Sequence, residues 1–210
     1  MIFWAIVPVK SLDKGKSRLA GVFTPQERRD LNYRLLKNTL ETLNMISGIE
    51  EILVISQDPE VLLLAEKLGT RTTKETGEPD LNDALEQATL FAKAHSAQGI
   101  LIVPADLPLI NLDDVNVLLK HAGKTSNGPT VIIAPDRRWE GTNAMLVCPT
   151  GLIPYKYGTN SFERHCQLAR EVDAHLEICE LPSLALDLDI PDDLDILKST
   201  VSLENTGGLL

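Results

Sequence analysis

Residues 99–110 constrain the fold more than any other stretch. They read Gly-Ile-Leu-Ile-Val-Pro-Ala-Asp-Leu-Pro-Leu-Ile. The apolar, β-branched run over residues 100–103 is what a strand buried on both faces presents, and such strands belong to parallel sheets covered by helices. The run stops at Pro104, and a single acid, Asp106, follows before Pro108. A carboxylate just past the end of a buried strand stands at the edge where open α/β sheets bind ligands. Asp106 therefore reads either as a metal or phosphate residue or as the cap of a helix starting near residue 112. Asn111 is better placed for capping, and functional residues concentrate on such loops.

The rest of the chain alternates apolar strands with capped helices. Residues 2–9 are predicted as a first strand. Thr24-Pro25-Gln26-Glu27 is a capping box with proline at the first helical position. Leu31, Leu35, Leu36, Leu40 and Leu43 then recur at helical spacing up to about residue 43. A second strand is predicted over residues 49–56. Asp58-Pro59 opens a helix that ends near Gly69, and residues 70–73 form a short third strand. Asp80 caps the next helix; Asn82 and Asp83 in its first turn are either ordinary capping chemistry or readers of a purine or ribose. A helix is expected over residues 112–121, a turn over 125–129, and strands over 130–134 and 144–147. Asn160 is the expected cap of a helix from Ser161, and Pro191 starts the last helix. The pattern predicts one α/β domain over residues 1–200, a mainly parallel sheet flanked by helices. Residues 201–210 are expected as a disordered tail.

Charge narrows the function. Of 210 residues, 30 are acidic and 20 basic, a net charge of −10. Nucleic acid is not the expected partner, because backbone binding needs a basic footprint. The sign reverses locally after the first strand, where the loop Lys10-Ser-Leu-Asp-Lys-Gly-Lys-Ser-Arg-Leu19 carries Lys10, Lys14, Lys16 and Arg18. Placed at the carboxyl edge of strand one, these cations resemble a phosphate cradle. The loop is not a Walker A sequence; Gly15-Lys16-Ser17 matches only its tail. Cys148, Cys166 and Cys179 lack CxxC spacing and read as buried thiols of a reducing cytoplasm. The apolar N-terminus lacks a basic signal region, and no segment approaches transmembrane length.

Two further stretches carry chemistry. Polar residues 136–143 and Tyr157-Gly-Thr-Asn-Ser161 are loops with a hydroxyl beside a glycine, able to hold a small anion. Arg164 lies in the first turn after the second loop, to assist there or to be exposed. From residue 171 to 197 the chain has acids and no Lys or Arg, most of them expected as a solvated face. Within it, Leu-Ala-Leu-Asp187-Leu-Asp189-Ile-Pro191 alternates with period two, so Asp187 and Asp189 point to one side of an extended segment. With Asp106 they make an oxygen site of the kind Mg²⁺ takes beside substrate phosphates; the alternative is that Asp189 caps the last helix and Asp187 is exposed.

In this order, the basic loop, Pro-Ala-Asp-Leu-Pro-Leu, Gly141-Thr142-Asn143, Tyr-Gly-x-x-Ser-Phe and Leu-Asp-Leu-Asp-x-Pro-x-Asp-Leu resemble one family over nearly the whole chain. It is the guanylyltransferases of deazaflavin coenzyme F-420 biosynthesis, which use 2-phospho-L-lactate or phosphoenolpyruvate. The resemblance implies a nucleotide-diphospho-sugar transferase (GT-A-like) fold. It implies Lys10, Lys16, Ser17 and Arg18 for the triphosphate and Asp106, Asp187 and Asp189 for Mg²⁺. It implies Thr142, Gly158 and Ser161 for the phosphorylated three-carbon acid and Asn82 for GTP, with Asp106, Lys16 and Arg18 central to catalysis. The segment before Asn82, Glu75-Thr-Gly-Glu-Pro79, has fewer glycines than relatives carry. The four histidines stand outside these motifs and are expected to be structural or exposed. A homodimer is expected by family likeness alone. The rival readings are another nucleotidyltransferase of the same fold, of molybdenum-cofactor or sugar-phosphate type, a glycosyltransferase, or a non-catalytic nucleotide-binding module. The first usually carries a Gly-Gly-rich loop after strand one, which is absent here. A glycosyltransferase would release a nucleoside diphosphate, and a binding module would not need three carboxylates.

Overall fold

The computed structural model describes residues 1–124 and 128–204. The elements follow the expected alternation. They are β1 (Phe3–Pro8), α1 (Pro25–Asn44), β2 (Ile49–Ser56), α2 (Pro59–Lys67), β3 (Arg71–Lys74), α3 (Leu81–Ala94), β4 (Gly99–Ile102) and α4 (Leu112–Lys124). Then come β5 (Thr130–Pro135), β6 (Thr142–Cys148), α5 (Ser161–Glu171), β7 (His175–Ile178), α6 (Pro182–Ala185) and α7 (Pro191–Glu204). The seven strands form one sheet in the order β3-β2-β1-β4-β6-β5-β7. β1 pairs in parallel with β2 and β4, β2 with β3, and β5 with β7; β6 is antiparallel to both of its neighbours. Reversal of that one strand brings its first residues, Thr142 and Asn143, to the edge where β1 and β4 end.

Period-two alternation splits the apolar residues between two faces. Ala5, Val7, Val54 and Leu101 join α1, α2 and α4 in one core. Trp4, Ile6, Leu53 and Ile100 join α3 and α5 in the other. A third cluster joins Leu19 and Leu35 to Leu186, Leu188, Leu194 and Leu197, and so ties the basic loop and α1 to the end of the chain.

The helix starts obey local chemistry. Thr24 and Glu27 form the expected capping box, Asp58 Oδ1 accepts from Glu60 N, Asp80 Oδ1 from Asn82 N and Asp83 N, and Asn111 Oδ1 from Asp114 N. Two expectations are corrected. Asn160 precedes α5 in the left-handed region, φ 55°, and its side chain makes no capping bond. Most acids from residue 171 to 197 are exposed, as expected, and within that stretch His175–Ile178 adds an edge strand beside β5. There His121 Nδ1 and His175 Nε2 lie 3.2 and 3.4 Å from Glu177. Residues 182–185 are one helical turn, so the extended stretch begins only at Leu186. The last helix, α7, runs to Glu204. The rest of the expected tail, and residues 125–127 of the expected turn, lie outside the described residues. The described cysteines are free and buried, and no helix among the described residues is long and apolar enough to cross a membrane.

Candidate active site

The loop after β1 is built to approach its neighbours closely. Leu12 N–H donates to Asp58 Oδ2, the carboxylate that also caps α2, and Asn32 of α1 donates to Leu12 O at 2.7 Å. A Cβ on Gly15 would sit 2.6 Å from the Asn32 amide nitrogen, so only glycine fits there without displacing that anchor. Lys16 follows in the left-handed region, φ 59°, a conformation uncommon outside glycine. Its side chain is 6% exposed, and Nζ donates to Asp106 Oδ2 at 2.8 Å. Ser17–Leu19 is a single 3-10 turn that buries Leu19 and leaves Ser17 and Arg18 exposed. Arg18 Nη1 donates to Asp189 Oδ2 at 2.7 Å. Lys10 is exposed.

The segment bearing Asp187 and Asp189 is pinned from three sides. Leu188 N–H donates to Asp106 O, Asn143 Nδ2 to Leu184 O, and Arg137 N–H to Ala185 O. Leu186 and Leu188 turn into the third core, and Asp187 and Asp189, both half-buried, turn the other way, as period two predicts. Asp189 is not the cap of α7. Asp193 reaches back instead, its Oδ2 accepting from Asp189 N and Ile190 N and its Oδ1 from Arg137. Burial would raise the Asp193 carboxyl; those bonds together hold it below its usual value. Asp187 goes the other way. Burial and the neighbouring charge of Asp106 push it up, with Lys16 only partly opposing them.

Two clefts meet at this segment. The larger, of about 530 Å³, runs from the Lys10–Arg18 loop past Glu75, Asp80 and Leu81 to Asp106, Thr142 and Tyr157. The smaller, of about 320 Å³, is bordered by Arg137, Arg138, Gly158 and Asn160. Arg18, Asp187 and Asp189 line both.

The expected residues are thus largely brought together, but not all face the clefts. Asn82 lines neither cleft; its Oδ1 accepts from Tyr157 N at 2.7 Å, which fastens the 155–158 loop to α3. Ser161 is buried, and its Oγ accepts from Thr142 N at 3.0 Å. Arg164 donates to Thr159 O at 2.6 Å and braces the same loop. The carboxylate oxygens of Asp106, Asp187 and Asp189 do not converge within 4.8 Å. Among the described residues, that spacing is met only by His121, Glu177 and Cys179 at the far edge of the sheet. Lys16 and Arg18 stand on two of the three aspartates. The sequence assigns no individual role to Glu75 or Arg137, which stand in polar loops, and marks Tyr157 only as the head of a motif. The Tyr157 hydroxyl is buried without a protein partner beside the larger cleft.

The family profile described as "Guanylyl transferase CofC like" matches residues 3–201. This chain belongs to that family. Among curated family members, it is 40% identical over 200 residues to the phosphoenolpyruvate guanylyltransferase of Rubrobacter xylanophilus, covering 95% of each chain. It is 36% identical over 190 residues to the 2-phospho-L-lactate guanylyltransferase of Methanothermobacter thermautotrophicus, covering 90% of this chain and 81% of that one. Solved structures share the fold at low identity. A Desulfovibrio desulfuricans G20 chain described provisionally as a nucleotide-diphospho-sugar transferase superposes with TM-score 0.75 at 16% identity, over 96% of this chain and 88% of that one. A CMP:2-keto-3-deoxy-manno-octonic acid synthetase complexed with CTP gives 0.65 at 13%, over 97% and 100%. The CofC-like family and this fold make the chain a nucleotidyltransferase.

Proposed function

We propose that this CofC-like chain transfers GMP from GTP to a phosphorylated three-carbon acid and releases pyrophosphate, in cytoplasmic biosynthesis of coenzyme F-420. Phosphoenolpyruvate is the acid first tested, since the 40% identical relative carries that name. The observation that carries the reading is the meeting of two clefts at Arg18, Asp187 and Asp189. A triphosphate along the larger cleft, its tail on the Lys10–Arg18 loop, would bring its α-phosphorus to that junction. The acid would come from the smaller side past Gly158 and meet Thr142 from the larger cleft, with buried Ser161 fastening Thr142 from behind.

The chemistry needs no side-chain base. A phosphate monoester is largely dianionic at neutral pH, so one of its oxygens can attack the α-phosphorus directly. The new P–O bond forms as the bond to the bridging oxygen of pyrophosphate breaks. Catalysis is then alignment and charge neutralisation. Lys16 and Arg18, paired with Asp106 and Asp189, are the cations nearest the carboxylates and would neutralise the phosphates there. Asp106, Asp187 and Asp189 are oxygen donors, and burial together with the charge of Asp106 raises Asp187, a penalty that a hard divalent cation there would relieve. Mg²⁺ held there would supply further neutralisation of the phosphates.

The test is pyrophosphate release by purified protein with GTP and Mg²⁺, adding phosphoenolpyruvate or 2-phospho-L-lactate in separate reactions. Release that requires one acid establishes the reaction and names the acceptor. A folded, GTP-binding protein silent with both acids overturns the assignment.

A further inference from the structure

His165 belongs to none of the substrate-facing motifs, yet both of its ring nitrogens are engaged and the residue is fully buried. Nε2 receives the backbone N–H of Lys156 at 3.0 Å. A backbone N–H is always a donor, so Nε2 must be the bare nitrogen and the ring proton sits on Nδ1. Nδ1 lies 2.9 Å from Thr142 Oγ1. The direction of that bond is therefore fixed: Nδ1–H donates and the hydroxyl oxygen accepts. The hydroxyl hydrogen cannot point back at the ring, and Thr142 lines the larger cleft. The Thr142 backbone N–H is committed to Ser161 Oγ, which holds the residue in place.

We infer that His165 is a positioning residue that makes the Thr142 hydroxyl a committed hydrogen-bond donor into the cleft, toward an anionic oxygen of the acid. The opposite tautomer would turn the hydroxyl hydrogen onto Nδ1 and present oxygen lone pairs to an anion, which repels it. Burial, with Arg164 adding to it, holds the imidazole down to about 4, and so keeps it neutral where the enzyme works. The Tyr157 ring packs edge-on at 4.9 Å between centroids and limits the ring's freedom to turn over. The inference rests on the reading of Thr142 as an acid-binding residue.

Two variants separate the two nitrogens. His165→Asn keeps an N–H near the Nδ1 position, whereas His165→Gln places its amide near Nε2 and loses the donor to Thr142. His165→Gln is expected to raise the KM for the acid about tenfold or more, as loss of a hydrogen bond to a charged group does. The KM for GTP should stay within about twofold, and His165→Asn should largely restore the acid's KM. A merely structural role would lower the Tm of both variants without splitting the two KM values. Equal acid KM in both variants, or parallel shifts for GTP and acid, overturns the proposal. The tautomer is read independently of activity from long-range ¹H–¹⁵N couplings of the imidazole. An Nδ1–H ring is expected, and an Nε2–H ring overturns the proposal even in an active enzyme. An Nδ1–H ring in a wild-type protein that uses neither acid instead overturns the acid as the ligand of Thr142.

Discussion

At the scale of single residues, the site holds its charges in opposed pairs. Lys16, buried and left-handed, stands on Asp106. Asp106→Asn should lower turnover by about a hundredfold or more, since it removes one of the three carboxylates that would hold Mg²⁺ beside the phosphates. The Tm should move by only a few degrees, because the amide oxygen still accepts from Lys16. Steady-state kinetics beside a melting curve checks both halves. His165 makes a second prediction. Its folded-state value, about 4, lies below the ordinary 6.5, so between these values the unfolded chain binds the extra proton. Stability from this group is therefore full above about pH 6.5 and is lost as pH falls toward 4, by about 3 kcal/mol in total. Urea unfolding of wild type and His165→Asn at pH 7 and pH 4.5 should show the wild type losing more stability on acidification than the variant.

At the scale of elements, the turn between residues 186 and 193 decides where the second and third aspartates lie. Asp193→Ala would strand the N–H groups of Asp189 and Ile190 and the guanidinium of Arg137. The expected cost is about 3 kcal/mol by urea denaturation, with a fall in kcat that Asp193→Asn partly reverses. Much of this level was legible beforehand. The capping residues Thr24, Asp58 and Asp80 and the β-branched runs announce their elements, and the alternation of leucine with Asp187 and Asp189 announces which side each faces. What escaped was set by partners far along the chain. β7 is short and half polar, and it becomes a strand only because β5 offers it an edge. Asn160 is a good cap by composition, but the fold needs a left-handed residue there. Asn82 looks poised over a ligand, yet a backbone N–H at residue 157 takes its oxygen. The Lys16–Asp106 bond spans 90 residues, and no local pattern foretells it.

At the scale of the whole molecule, the direction of one strand assembles the site. With β6 reversed, the loops after β1 and β4 and the first residues of β6 share one edge, and the helices on both faces only support that arrangement. Packing and chemistry are accordingly separable. Leu101→Ala in central β4 should cost about 3 kcal/mol, read as a lower urea midpoint, while the KM values of the folded fraction stay unchanged. The bonds from Leu188 N to Asp106 O and from Arg18 to Asp189 close the site from the two ends of the chain. This has a consequence for synthesis on the ribosome. The basic loop emerges first, and six strands have emerged by residue 148. Asp187 and Asp189 come close to the end. A product of premature termination before them would keep six strands but lack two of the three carboxylates, and also Leu186, Leu188, Leu194 and Leu197, which hold Leu19 of the basic loop. The cationic loop and the carboxylates are therefore fixed together, only when the last residues dock, and a shortened chain would have neither in place.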